Sequence, residues 1–293
     1  MSIISLGENT TPGAEQPTAE EPQASRLTAL QIFAAAARTG EEELRRSPTG
    51  LSFSGLAAGL QMGLSGLGAA VLANAIDVDG PLEQLLPALL YPLGFIVVVL
   101  GRSQLFTENT LFPVMLVLDQ KRHVFKTLRL WGVVFTANVA GALLFATLMT
   151  QTDALAPGIR SSLVDLGTQV VQGSFGSIFW AGVAGGWIIA LMAWLVTATR
   201  FMMGQIALVY LTTFVVGASG LAHCIAGSGE ALSAVLTGAV APSDYLSWLL
   251  AAALGNTVGG VLIVSVLNYG QVVGSGRHAD RAQRHLDAIK RRV

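Results

Sequence analysis

The run Leu-Gly-Arg-Ser-Gln-Leu-Phe-Thr-Glu-Asn-Thr, from Leu100 to Thr110, interrupts a segment that is otherwise apolar from 85 to 118. A second interruption, Ser-Gly-Leu-Ala-His-Cys-Ile-Ala-Gly-Ser-Gly-Glu from Ser219 to Glu230, lies inside the apolar segment 203–240. Both segments are too long for one straight span, so each reads as a half-helix, a loop and a second half-helix. Backbone at membrane depth must be hydrogen-bonded, so such a break survives only when it is buried in protein or lines a cavity. Ionisable groups at that depth are expensive and mark a pathway or site.

Working outward, four further apolar segments run from 50 to 73, 128 to 150, 173 to 197 and 245 to 271, each near the ~20 residues that span a bilayer. The chain is 52% hydrophobic and 12% charged, against about 25% charged for a soluble domain. The expected fold is therefore an all-α membrane protein of six spans, 47–275, with broken second and fifth helices. Ahead of it, residues 1–24 read as a disordered tail rich in Glu, Pro, Thr and Gly. Residues 25–46 read as an amphipathic helix capped by Ser25, with Leu27, Leu30, Ile32, Phe33, Ala36 and Ala37 on its apolar side. It lies on the membrane surface or docks on the protein. Residues 276–293 form a basic tail. The acidic first residues lack the features of a signal peptide, and none is expected.

The bases set the orientation. Of 17 Lys and Arg, 15 fall on one side of a six-span arrangement; Arg160 falls on the other and Arg102 in the first break. Both termini are then cytoplasmic, and the connections 77–83, 152–165 and 241–244 face outward as loops.

The halves echo each other. Asn138 and Asn256 both open an Asn-x-x-Gly, and Phe106 and His223 precede them by 32 and 33 residues. Three spans per repeat require opposite insertion, the inverted-repeat plan of many transporters. The N-termini of the second half-helices, with Thr107, Glu108, Asn109 and Ser228 near cap positions, would point positive dipole ends at the centre and favour a small anion. The bland alternative is a pair of kinks repaired by Ser and Thr.

His223 is the one histidine in an apolar segment. It either exchanges a proton with a weak acid or is a neutral side chain hydrogen-bonded to the break's own backbone. Thr107 orients a substrate or caps. Asn138 and Asn256 reach the pore or tie down a loop. Tyr91, Phe95, Leu105, Phe106 and Val216 are candidate apolar constrictions, or ordinary packing. Arg102 is expected to pair with Glu108 or Glu230. The glycines of 55–68 and 182–186 let helices approach closely. Cys224 is the lone cysteine, so no intrachain disulfide can form. With no Walker loop, metal-ligand pair or nucleophile set, neither an enzyme nor an ATP-driven pump is expected, and no metal, cofactor or nucleic-acid partner.

The combination of Ala57-Ala58-Gly59-Leu60, Leu105-Phe106-Thr107, Arg129-Leu130-Trp131-Gly132, His223 and Gly255-Asn256-Thr257-Val258-Gly259-Gly260 resembles the formate/nitrite transporter family over roughly 25–275. The run 104–110 resembles its YfdC-like branch. The resemblance implies an aquaporin-like fold and a homopentamer in the inner membrane, each protomer carrying its own pore. It implies passage of formate, nitrite, hydrosulfide or similar anions. It places Leu105, Phe106 and Thr107 in the loop of the second helix, Tyr91, Phe95 and Val216 at constrictions, His223 at the centre and Asn256 beside the pore. The chain departs from the better-known members at Ala222, where they carry an acid, and at Gly186, near a pore asparagine. It also lacks their lysine leading into the fourth span. Less fixed positive charge, with Glu108 added, implies weaker anion attraction or another substrate. Two other readings stay open: an aquaporin-like neutral-solute pore, against which the missing Asn-Pro-Ala motifs count, and a membrane scaffold or sensor with a vestigial pore.

Overall fold

The computed structural model describes residues 27–76, 80–121 and 123–274; the expected tails 1–24 and 276–293 and the proposed cap Ser25 lie outside them. The described residues are helical throughout, with no strand. The first helix, α1 (Ala29–Arg45), starts at Thr28, whose side chain accepts from the N–H of Gln31 while Gln31 answers the Thr28 N–H. That reciprocal box fixes its start. Phe33, Ala36, Gly40 and Leu44 are buried. Gly40 lies directly against the backbone of Phe112 and Pro113, and Arg129 donates to the Leu44 carbonyl at 3.3 Å. The helix is thus docked on the protein, although Leu30 on its apolar side stays exposed.

After α1 come α2 (Pro48–Ala75), α3 (Pro81–Ala88) and α4 (Pro92–Leu100). A loop and a 3₁₀ turn (Glu108–Thr110) lead to α5 (Phe112–Gln120), then α6 (Val124–Thr150) and α7 (Pro157–Val170). The second half holds α8 (Phe175–Thr197), α9 (Met202–Ala218), a loop, α10 (Ala226–Leu236) and α11 (Pro242–Val258). Helix α11 runs on through a π-helical stretch, Gly259–Val266, to Gly274. Among the described residues, five helical runs are long and apolar enough to cross a membrane: α2, 82–100, α6, α8 and 242–274. Helix α9 is apolar but has 17 residues, and a loop and α10 follow it.

Two differences from expectation concern element limits. Residues 152–165 were expected as an outer loop, yet Pro157 at the first helical position opens α7, which buries Leu163 and Gly167. The second interruption, Ser219 to Glu230 in the sequence, ends at Ile225 in the structure, and Glu230 lies inside α10.

The two halves repeat one packing unit. On α2, Gly59 lies against the Asn138 backbone of α6, and Gly141 lies against Leu56 and Leu60. On α8, Gly186 lies against the Asn256 backbone of α11, and Gly259 against Val183 and Trp187. A methyl at any of these four glycines would overlap main chain, so the helices meet backbone to backbone. Each broken helix also stops the same way. The N–H of Ser103 reaches Val98 O at 3.1 Å and that of Leu221 reaches Val216 O at 3.0 Å, with Arg102 (φ 53) and Gly220 (φ 61) left-handed between them. These are Schellman stops, for which glycine is the ordinary residue.

Candidate functional site

The loops between the half-helices are held by the two buried asparagines. Asn138 Oδ1 accepts the Phe106 N–H at 2.9 Å, and its Nδ2 donates to the carbonyls of Gly55 and Gln104, each at 2.8 Å. Asn256 Oδ1 accepts the Cys224 N–H at 2.9 Å, and its Nδ2 donates to Gly182 and Ala222, each at 2.8 Å. Three bonds apiece commit both donors and the oxygen of each amide to backbone, and both side chains are wholly buried. Asn138 and Asn256 are therefore loop latches; neither turns its amide toward a passing solute. The repeat also pairs differently from the sequence reading. Phe106 corresponds to Cys224, at 32 residues in both halves, so His223 corresponds to Leu105.

That single register puts His223 opposite Thr107. His223 Nε2 lies 2.8 Å from Thr107 Oγ1, and its Nδ1 accepts the N–H of Ala226 at 3.0 Å. The imidazole thus takes the role of helix cap that the sequence assigned to Ser228; Ser228 Oγ instead donates to Cys224 O at 2.6 Å. Because Nδ1 accepts, the ring hydrogen of a neutral imidazole is assigned to Nε2, which donates to Thr107. The Thr107 hydroxyl hydrogen is left without a partner among the described residues. Both side chains are buried, at 1% and 2% exposure, so they pair away from solvent at the junction of the halves.

The first loop carries further ties: Gln104 N–H to Ser54 Oγ at 3.1 Å, Asn109 Nδ2 to Gln104 Oε1 at 3.0 Å, and Trp131 Nε1 to Asn109 O at 2.8 Å. Thr110 Oγ1 donates to Thr107 O at 2.7 Å, and Ser265 of the π-helical stretch donates to Thr110 O at 3.0 Å. Sequence reasoning missed Ser265, which carries no local signal.

The apolar candidates separate by neighbourhood. Phe95 meets the His223 ring edge-on with centroids 4.9 Å apart and touches Tyr91 at 5.6 Å. Tyr91 and Val216 line a cavity of about 710 Å³ that runs from Gly80, Glu83 and Gln84 on the α3–α7 face inward to His223 and Glu230. Leu105 is fully buried, and Phe106 packs on Trp131 and Phe135. The ion pair expected of Arg102 does not form. Arg102 is exposed, and the ion pairs among the described residues are Arg45–Glu41, Arg46–Glu43 and Arg160–Asp153. The left-handed backbone at the head of the loop turns Arg102 outward, away from Glu108 and Glu230.

The sequence pattern of the family described as "Formate/nitrite transporter" matches residues 30–270. The chain belongs to the formate/nitrite transporter family. It is 32% identical over 248 residues to "Inner membrane protein YfdC" of Escherichia coli K12, covering 83% of this chain and 79% of that one. It is 25% identical to a "Probable formate transporter" of Methanothermobacter thermautotrophicus, covering 72% and 84%. Among solved structures, an "FNT family ion channel" superposes with a TM-score of 0.75 at 20% identity, covering 82% of this chain and 98% of that one. A "Pentameric formate channel with formate bound" superposes at 0.65 with 21% identity, covering 77% and 98%. Those likenesses establish the fold: an all-α membrane protein with an inverted repeat and two broken helices. As a member of this family, the chain is an anion channel or transporter.

Proposed function

We propose that each protomer is a channel or proton-coupled transporter for a small monovalent weak-acid anion, formate, nitrite or hydrosulfide being the first to test. The observation that carries this is the buried Thr107–His223 pair joining the two breaks. Its hydroxyl hydrogen has no partner among the described residues, at a point where two half-helices begin. Such a donor, backed by N-terminal dipoles, meets an anion without a fixed positive charge. Phe95, Leu105 and Phe106, with Tyr91 and Val216 toward the cavity, would exclude water and larger ions.

In this reading the spans number six, α9 and α10 together making the fifth, and the charge distribution places both termini in the cytoplasm of a bacterial-type cell. The relation to an inner membrane protein supports the inner membrane, and the likeness to a pentameric channel supports a homopentamer. Residues 47–275 are the transport domain and α1 is a cytoplasmic helix docked beneath it.

The test is uptake of labelled formate, nitrite and hydrosulfide into proteoliposomes. Wild-type flux well above protein-free vesicles, lost in Thr107→Val, supports the reading. Glycerol-driven swelling without anion flux would replace it with a neutral-solute pore.

A further inference from the structure

The cavity on the α3–α7 face ends at a carboxyl that has no use in the account so far. Glu230 is 5% exposed, yet its carboxylate makes no hydrogen bond or ion pair among the described residues. It lines the same cavity as Tyr91, Val216 and His223, one face of α10 presenting Gly227 and Glu230 three residues apart. The neighbouring helices leave space for it and little else. A methyl on Gly66 of α2 would come within 2.6 Å of Glu230 Cγ and 3.1 Å of Oε1, while Gly167 of α7 abuts the Glu230 carbonyl.

Every element packed on this stretch of α10 withholds a compensating base. Helix α2 has no titratable residue along its length. Helix α6 presents Phe145 to Gly229, and its bases Lys126 and Arg129 stand at the opposite end. On α7, Arg160 is engaged by Asp153 and the Thr152 carbonyl, and Asp165 is exposed. On α11, Tyr245 meets Ser228 at 3.1 Å, and Asp244 is exposed. Tyr91, His223 and Cys224 are the remaining titratable groups near the cavity's inner end, and Glu83 stands at its rim.

A buried carboxylate with neither a base nor a donor is unfavourable, and it repels a second negative charge in the same low-dielectric space. As a neutral acid the same group offers one O–H donor and one C=O acceptor. That edge is complementary to a small weak acid still holding its proton. We propose that Glu230 is a specificity-determining residue of the pathway, admitting from this cavity the weak acid with its proton and turning back the bare anion. The role rests on the transport reading above and adds to it which form of the solute enters from this side.

The test is formate flux into proteoliposomes from pH 5.5 to 8 for wild type, Glu230→Gln, Glu230→Met and Glu230→Asp. Each pH unit above the midpoint of a carboxyl shifts its neutral-to-charged ratio about tenfold. Glu230→Gln, which keeps a donor and an acceptor, should match wild type within about twofold at pH 5.5. Glu230→Met, which has no O–H donor or C=O acceptor, should fall below it there, and both should exceed it by about tenfold or more at pH 8. Glu230→Asp should keep the wild-type fall. Superimposed profiles for wild type and either neutral variant would overturn the role of Glu230 and leave the transport reading intact, provided Thr107→Val still abolishes flux. Absence of wild-type formate flux would remove both.

Discussion

At the scale of the residue, four side chains decide how the two loops meet: Asn138 and Asn256 hold the backbone, and Thr107 and His223 join across it. Replacing either asparagine with alanine removes three hydrogen bonds and strands buried backbone groups. Each Asn→Ala change should lower stability by roughly 2–5 kcal/mol, read as earlier unfolding in detergent. Thr107→Ser keeps the hydroxyl and should keep most anion flux. Thr107→Val removes a hydrogen bond to a charged solute and should cut flux by about tenfold or more. The His223→Phe protein should lose its pairing with Thr107 and fall with it. Sequence named all four residues because each is polar in an apolar run, but it could not say which N–H each amide takes. The count from Phe106 and His223 differed by one, and that slip hid the equivalence of His223 with Leu105. It also hid why Ser228 need not cap α10: a ring nitrogen already fills the place.

At the scale of the element, the paired helices α2–α6 and α8–α11 are the frame on which the loops hang. Their contact depends on glycines set against main chain, so Gly186→Leu should pry α8 from α11 and destabilise by about 1–3 kcal/mol or more. Gly40→Leu tests a different joint. It should lift α1 from α5, which limited proteolysis within 29–45 would report, while the membrane body stays folded. The frame was legible in the glycine spacing and the breaks in the polar runs. Helix α7 was not, because Arg160 and the acids Asp153 and Asp165 make 152–165 look like a connection. Its apolar positions Ile159, Leu163, Leu166 and Val170 do carry a helical period, and α2 and α10 supply the surface that draws it in.

At the scale of the whole molecule, large apolar side chains such as Phe53, Phe125, Trp180, Leu262 and Leu267 stay exposed on a single chain. Lipid or neighbouring copies would cover them, and native mass spectrometry should find five copies of the 30.6 kDa chain. Orientation can be read with the lone cysteine removed. In a Cys224→Ser background, an impermeant maleimide should label Asp153→Cys on intact cells and Arg200→Cys only after permeabilisation. The reverse result would invert the topology. Basic residues set this expectation; the helices themselves have no preferred direction.

The π-helical turn after Val258 stores one residue beyond what an α-helix of that length would use. Were it to rewind, everything past it would rotate by about 100° and advance by ~1.5 Å. Ser265 would then release the Thr110 carbonyl, and Thr110 is the brace beneath Thr107. A far-downstream ratchet is thereby geared, through Thr110, to the Thr107 hydroxyl, so Ser265→Ala should alter conduction from a position that no permeating ion need touch.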